Sequence, residues 1–224
     1  MKYLIANFKA NLNHLDIINW LEIFVPETQK NTQIQQKLQS GEIKVVVCPP
    51  FSFLLPLKKK ISGLTGVVCG AQDISRFDNG RYTGEVTAQS LQGVVEYAII
   101  GHSERRSSFS ETESDISQKL HFCRQYQIKP ILCIRGKEDK IDPDTPIVCY
   151  EPPQSIGTGN NLSLDETLKT KKQLPLTPKQ LFFYGGSVNA HDIHQYRANP
   201  EIAGFLIGTA SVSPTDFLAL LNAV

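Results

Sequence analysis

Residues 150–159 read Tyr-Glu-Pro-Pro-Gln-Ser-Ile-Gly-Thr-Gly, and their one carboxylate, Glu151, leaves an apolar run into a stiff proline pair and a glycine-punctuated tail. A carboxylate so placed suits a general base with its own lid. By residue type alone it reads equally as a surface Glu before a turn. Two further polar groups follow apolar runs. Lys9 lies in Asn7-Phe8-Lys9-Ala10-Asn11, where an ammonium and an amide together would draw an anion, though a lone lysine is usually a solvated charge. His102 lies in Gly101-His102-Ser103-Glu104-Arg105-Arg106, at the start of a short helical stretch. The positive end of a helix opposes an imidazolium, so His102 is expected as a neutral donor to a substrate oxygen; its plainer reading is an exposed His near a cap.

Small residues supply a third kind of chemistry. Tyr184-Gly185-Gly186-Ser187-Val188 and Gly208-Thr209-Ala210-Ser211 both follow apolar runs, and Gly157-Thr158-Gly159 extends the opening stretch. Such segments leave backbone N–H groups open to a phosphate. Each alone is ordinary turn material.

The elements that must position these groups are short β-rich runs: 3–8, 43–48, 66–70, 97–101, 129–134, 147–150, 181–184 and 204–208. Dividing 224 residues by eight runs gives 28 per unit, the size of a βα repeat. The runs are continuously apolar, as parallel strands covered by helices are. The pattern predicts an α/β fold, a single (β/α)8 barrel filling residues 1–224 as one domain. In such barrels the working residues stand at the carboxyl ends of the strands, and the ends of the seventh and eighth hold phosphate. Helical spacing at 17–24, an acidic first turn after Thr112, and Pro214 after a capping Ser213 place outer helices. Residues 135–146 carry two prolines and little apolar content, so the fifth outer helix is expected to be shortened or missing.

Composition excludes several classes. The formal charge is +1 and the basic residues form no block beyond Lys58-Lys59-Lys60, read as a solvated helix end, so no nucleic-acid partner is expected. No apolar run is long enough for a membrane span. The five cysteines form no C-x-x-C pair and read as buried free thiols of a reducing compartment; with no secretory leader before the first run, a cytoplasmic location is expected. His191 and His194 lack further ligands at metal spacing, so neither a metal nor a cofactor is expected. Trp20 reads as helix packing.

Taken in barrel order, these motifs resemble the triosephosphate isomerase family. The resemblance is carried by Asn7–Asn11, Gly70-Ala71-Gln72-Asp73, Tyr82-Thr83-Gly84-Glu85, Gly101–Arg105, Tyr150-Glu151-Pro152, Ile156–Gly159, Tyr184–Val188 and Gly208–Ser211. It spans nearly the whole chain. It implies interconversion of dihydroxyacetone phosphate and D-glyceraldehyde 3-phosphate through an enediolate, in glycolysis and gluconeogenesis and without a cofactor. It also implies the roles. Glu151 moves the proton, His102 serves the enediolate oxygens, Lys9 supplies positive field beside Asn7, and Glu104 keeps Lys9 in order. Ser103 lies next to the resting base. Ile156, Gly157, Ser187, Gly208 and Thr209 surround the substrate phosphate. Thr83, Gly84 and Glu85 belong to a loop that reaches a neighbouring subunit, the glutamate near Arg105, which implies a homodimer.

The chain departs from the family pattern at Pro153-Gln154, where an aromatic hinge is usual, at Asn160-Asn161, where a lysine is usual, at Phe8 for a tryptophan, and at Thr209 for a glycine. Residues 135–146 are the largest departure. Two other readings stay open on the residues. One is a barrel that keeps its phosphate site for binding or interaction alone, which would have no use for Glu151 as a base. The other is a different phosphosugar isomerase or aldolase, although no late strand carries an interior lysine for a Schiff base.

Overall fold

A computed structural model describes residues 1–155 and 161–224. Eight parallel strands, β1 (Lys2–Asn7), β2 (Ile43–Cys48), β3 (Val67–Ala71), β4 (Tyr97–Ile100), β5 (Lys129–Ile134), β6 (Ile147–Tyr150), β7 (Leu181–Tyr184) and β8 (Gly204–Ile207), close in sequence order into a barrel. The seam pairs Tyr3 with Gly204 through Ala6 with Ile207. The continuous apolar runs have the expected cause, since both faces are covered. Side chains alternate across the ring. Ile5, Val46, Cys48, Ile99, Ile131, Cys133, Cys149, Phe183 and Leu206 fill its interior, while Leu4, Val47, Ala98, Leu132, Val148 and Phe205 pack outward against the helices. All five cysteines are free and buried.

The outer layer contains α1 (His14–Lys30), α2 (Thr32–Gln39), α3 (Leu54–Ile61), α4 (Ala88–Leu91), α5 (Ser103–Ser108), α6 (Glu113–Gln125), α7 (Leu164–Gln173), α8 (His194–Arg197) and α9 (Pro214–Ala223). Thr112 and Ser213 cap α6 and α9 through their side chains, as their positions before acidic first turns predict. Lys58, Lys59 and Lys60 lie exposed in the last turn of α3. Trp20 is buried in α1, stacked on Phe24 at 4.4 Å and edge-on to Phe8 at 5.0 Å.

Between β5 and β6 no helix forms. Residues 135–146 cross as turns, yet the outward side chains of Leu132, Ile134, Val148 and Tyr150 stay buried. The cover is polar. Asp139, itself buried, accepts from the Arg135 backbone at 2.7 Å and from its guanidinium at 3.0 and 2.6 Å. Arg106, from α5, lies 3.6 Å from the same carboxylate. Gln180 donates to the carbonyls of Asp142 and Thr145 at 3.0 and 2.9 Å, and Arg124 of α6 pairs with Asp142 at 2.9 Å. Backbone groups that a helix would satisfy internally are here satisfied by side chains.

Candidate active site

The polar groups singled out from the sequence converge on the carboxyl ends of the strands. Asn7 and Lys9 come from β1, His102 and Glu104 from the turn into α5, Glu151 from β6, Ser187 from beyond β7, and Gly208 and Thr209 from beyond β8. Ile156 and Gly157 lie outside the described residues.

Glu151 is 1% exposed. Its two oxygens have separate partners: Oε2 accepts the Ser103 N–H at 2.8 Å, and Oε1 lies 2.9 Å from Nε2 of His102. His102 caps α5, and its Nδ1 accepts the Glu104 N–H at 3.2 Å. An accepting Nδ1 leaves the proton of a neutral ring on Nε2, aimed at Glu151. Burial disfavours charge on this ring, the Glu151 carboxylate beside it favours charge, and the balance lies above the ordinary histidine value. The neutral ring expected from the helix start is thus opposed by Glu151 while the two side chains touch. Backbone geometry before the ring is set by Gly101, at φ +70°, where a Cβ would also press on Ile116 and Arg106.

Lys9 is held in the left-handed region, at φ 51°, which costs a non-glycine residue about 1–2 kcal/mol. Three contacts hold it there. Its N–H donates to Asn7 Oδ1 at 3.2 Å, its carbonyl accepts from Gln72 at 2.9 Å, and its ammonium meets Glu104 at 2.5 Å. The Gln72 amide also donates to the Cys48 carbonyl at 2.9 Å, so one side chain ties together the ends of β1, β2 and β3. Gly208 stands beside this ammonium: a Cβ there would lie 3.4 Å from Lys9 Cε and 3.6 Å from Nζ, ordinary contact distances. The Ser211 hydroxyl lies 3.1 Å from the Asn7 carbonyl and 2.6 Å from that of Gly208, and the Trp20 indole donates to the Ser211 carbonyl at 3.0 Å.

Comparison with known proteins decides the family. A family model described as triosephosphate isomerase matches residues 2–145 and 136–224. The chain belongs to the triosephosphate isomerase family. Among curated relatives of that name, the protein of Picosynechococcus sp. is 32% identical over 248 aligned positions, covering 100% of this chain and 99% of its own. The Aquifex aeolicus protein is 31% identical, covering 94% of this chain and 99% of its own. The Alkaliphilus oremlandii protein is 31% identical, covering 85% and 90% respectively.

Within this triosephosphate isomerase fold, two of the departures noted in the sequence, Phe8 and Thr209, have local explanations, while Asn160 lies outside the described residues. Phe8 packs against Trp20, so an indole reaches the same region from α1. Thr209 is exposed, opens a single 3-10 turn and is not among the residues with positive φ, so its side chain imposes no backbone strain. Ser187 is the strained member, at φ 56°, and its hydroxyl donates to the Ser155 carbonyl at 2.5 Å. Gln72 has no role that its motif Gly70–Asp73 makes plain, and the fold gives it one as the tie between strand ends. No local signal marks an amide that bridges two other strands.

Proposed function

We propose that the protein is a triose-phosphate isomerase that interconverts dihydroxyacetone phosphate and D-glyceraldehyde 3-phosphate. The observation carrying this reading is the buried contact between Glu151 and His102 at 2.9 Å, with the Lys9 ammonium at the same barrel mouth. A carbon acid next to a carbonyl is weak, and its removal needs a base and an electrophile acting together. Glu151 takes the proton from one carbon and returns it to the neighbouring one. His102 donates from Nε2 to the oxygens of the enediolate, and substrate enters by separating the two side chains. Lys9 balances the negative charge of the phosphate and the developing oxyanion. Glu104 orients Lys9, and Asn7 supports its strained backbone. The phosphate lies against the backbone N–H groups of Ser187, Gly208 and Thr209. The roles need no cofactor, and the chain works as one domain, 1–224, in the cytoplasm.

The protein acts as a homodimer in the same reading. Thr83, Gly84 and Glu85 are exposed beside a cavity of about 440 Å³ whose walls include Phe51, Arg105 and Phe109. Phe109 is 67% exposed and Tyr82 45%, which suits a surface covered by a second copy. In the single chain Glu85 bonds to Ser75 and Arg105 pairs with Asp73 and Glu111.

Replacing Glu151 by Gln keeps the shape of the buried side chain and removes the base. Isomerase activity, followed by a coupled assay with glyceraldehyde 3-phosphate, is expected to fall by about 10²–10⁴-fold with folding retained. Activity equal to that of the unaltered protein overturns the assignment.

A further inference from the structure

The stretch from Tyr184 to Arg197 meets the chain on both sides of residues 156–160. On the near side, the Ser187 hydroxyl donates to the Ser155 carbonyl at 2.5 Å, and the Tyr184 hydroxyl is hydrogen-bonded to the Ser155 side chain. On the far side, the Leu162 N–H donates to the same Tyr184 oxygen at 2.9 Å, and the Tyr196 hydroxyl donates to the Leu162 carbonyl. One residue earlier, Asn161 Nδ2 donates to Asp192 Oδ2 at 2.6 Å, and Asn189 fixes that same oxygen at 2.5 Å. Tyr184 and Tyr196 stack with their ring centroids 5.0 Å apart and are both fully buried. Leu162 is therefore held by both of its backbone polar groups, each on a different tyrosine.

We infer that Tyr196 and Asp192 are positioning residues for the isomerase reaction, fixing the backbone at Asn161–Leu162 relative to Tyr184 and Ser187. This rests on the isomerase reading above. Neither side chain touches the groups assigned to proton transfer. They act through Leu162 and Tyr184 on the strand end that carries Ser187, and through Ser155 on the chain leaving Glu151. The chemistry such positioning protects is specific. An enediolate phosphate exposed to water breaks its C–O bond to phosphate, the electron pair leaving with inorganic phosphate, and the remaining enol becomes a three-carbon 2-oxoaldehyde. No oxidant or reductant takes part. Backbone held in place around the intermediate excludes water and suppresses this loss; loosened backbone does not.

Tyr196→Phe is the informative variant, because it keeps the stacked ring and removes only the donor to Leu162. In the full-length protein, kcat for glyceraldehyde 3-phosphate is expected to fall about fivefold, the rate equivalent of one hydrogen bond, with KM within about twofold. Inorganic phosphate released per isomerisation is expected to rise at least about fivefold. That ratio does not depend on how much protein is folded, so a purely structural role leaves it unchanged. Should Tyr196→Phe fail to fold, Asp192→Ala carries the same test, with the same directions expected. An unchanged ratio in a folded variant overturns the inference alone. An unaltered protein without isomerase activity overturns the parent reading and this inference with it.

Discussion

The crossover from β1 to β2 and the crossover from β5 to β6 solve one problem with opposite materials. The first uses two helices, α1 and α2, and buries Ile17, Trp20, Leu21, Phe24, Ile34 and Leu38 against the strands. Its aromatic stack runs from Phe8 through Trp20 and Phe24 to Phe217 of α9. The second has twelve residues, 135–146, no helix, and a network of Asp139, Arg135, Arg106, Asp142 and Gln180. Both keep the outward strand side chains dry. The lesson is that a barrel wall needs its apolar surface covered and its backbone groups paired, and a helix is only one way to do both.

That contrast sets an order of expected losses. Trp20→Ala removes the largest buried side chain of the first crossover and is expected to cost about 3–5 kcal/mol in chemical denaturation. Because the Trp20 indole supports Ser211, which in turn meets Asn7 and Gly208, kcat should fall as well. A loss under about 1 kcal/mol would break the claim that aromatic packing carries this side. Asp139→Ala is expected to cost about 2–3 kcal/mol, because it removes the buried acceptor of the Arg135 N–H and guanidinium and one of the carboxylates beside Arg106, while Asp139→Asn, which keeps an acceptor, should cost less. Equal losses in the two variants would mean that packing and not the charged hydrogen bonds holds the segment.

The smallest effect is the dependence on acid. Burial tends to raise the carboxyls of Asp139 and Asp142, but hydrogen bonds from Arg135 to the first, and from the Asp144 N–H and Arg124 to the second, outweigh it and leave both below the ordinary carboxylate value of 3.8. A depressed folded-state value contributes stability that is complete above the unfolded value and is lost as pH falls through the folded one. Below pH 4, protection from hydrogen exchange, measured against the free-amide rate, should therefore be lost in residues 135–146 before it is in α1. Simultaneous opening of both regions would remove the distinction.

The sequence made one half of this comparison easier to read than the other. The β5, β6 and β7 runs match their strands residue for residue, and the prolines of 135–146 marked a missing helix, because strand burial and proline act locally. Lys9, His102 and Glu151 stand out in the sequence because each directly follows such a run, and the structure brings them to one end of the barrel. What fills the gap in the fifth unit was not. Asp139 looks like any loop carboxylate until Arg106 arrives from α5, and Gln72 reveals its bridge only once three strands lie side by side. The same holds for Tyr196, whose partner at Leu162 lies 34 residues away. These pairings depend on ring closure, and no local pattern encodes the identity of the partner.

Ring closure has a kinetic consequence. Lys9 and Glu104 meet across 95 residues, Ser103 and Glu151 across 48, and β1 joins β8 at the seam. Contacts so distant in sequence form late, after the loop entropy between them has been lost. A refolding chain with the β1–β8 seam still open can pair Ser103 with Glu151, but it lacks the joined ends of β1 and β8 that bring Gly208 beside Lys9. Regain of activity would then time the last step of folding, not the first.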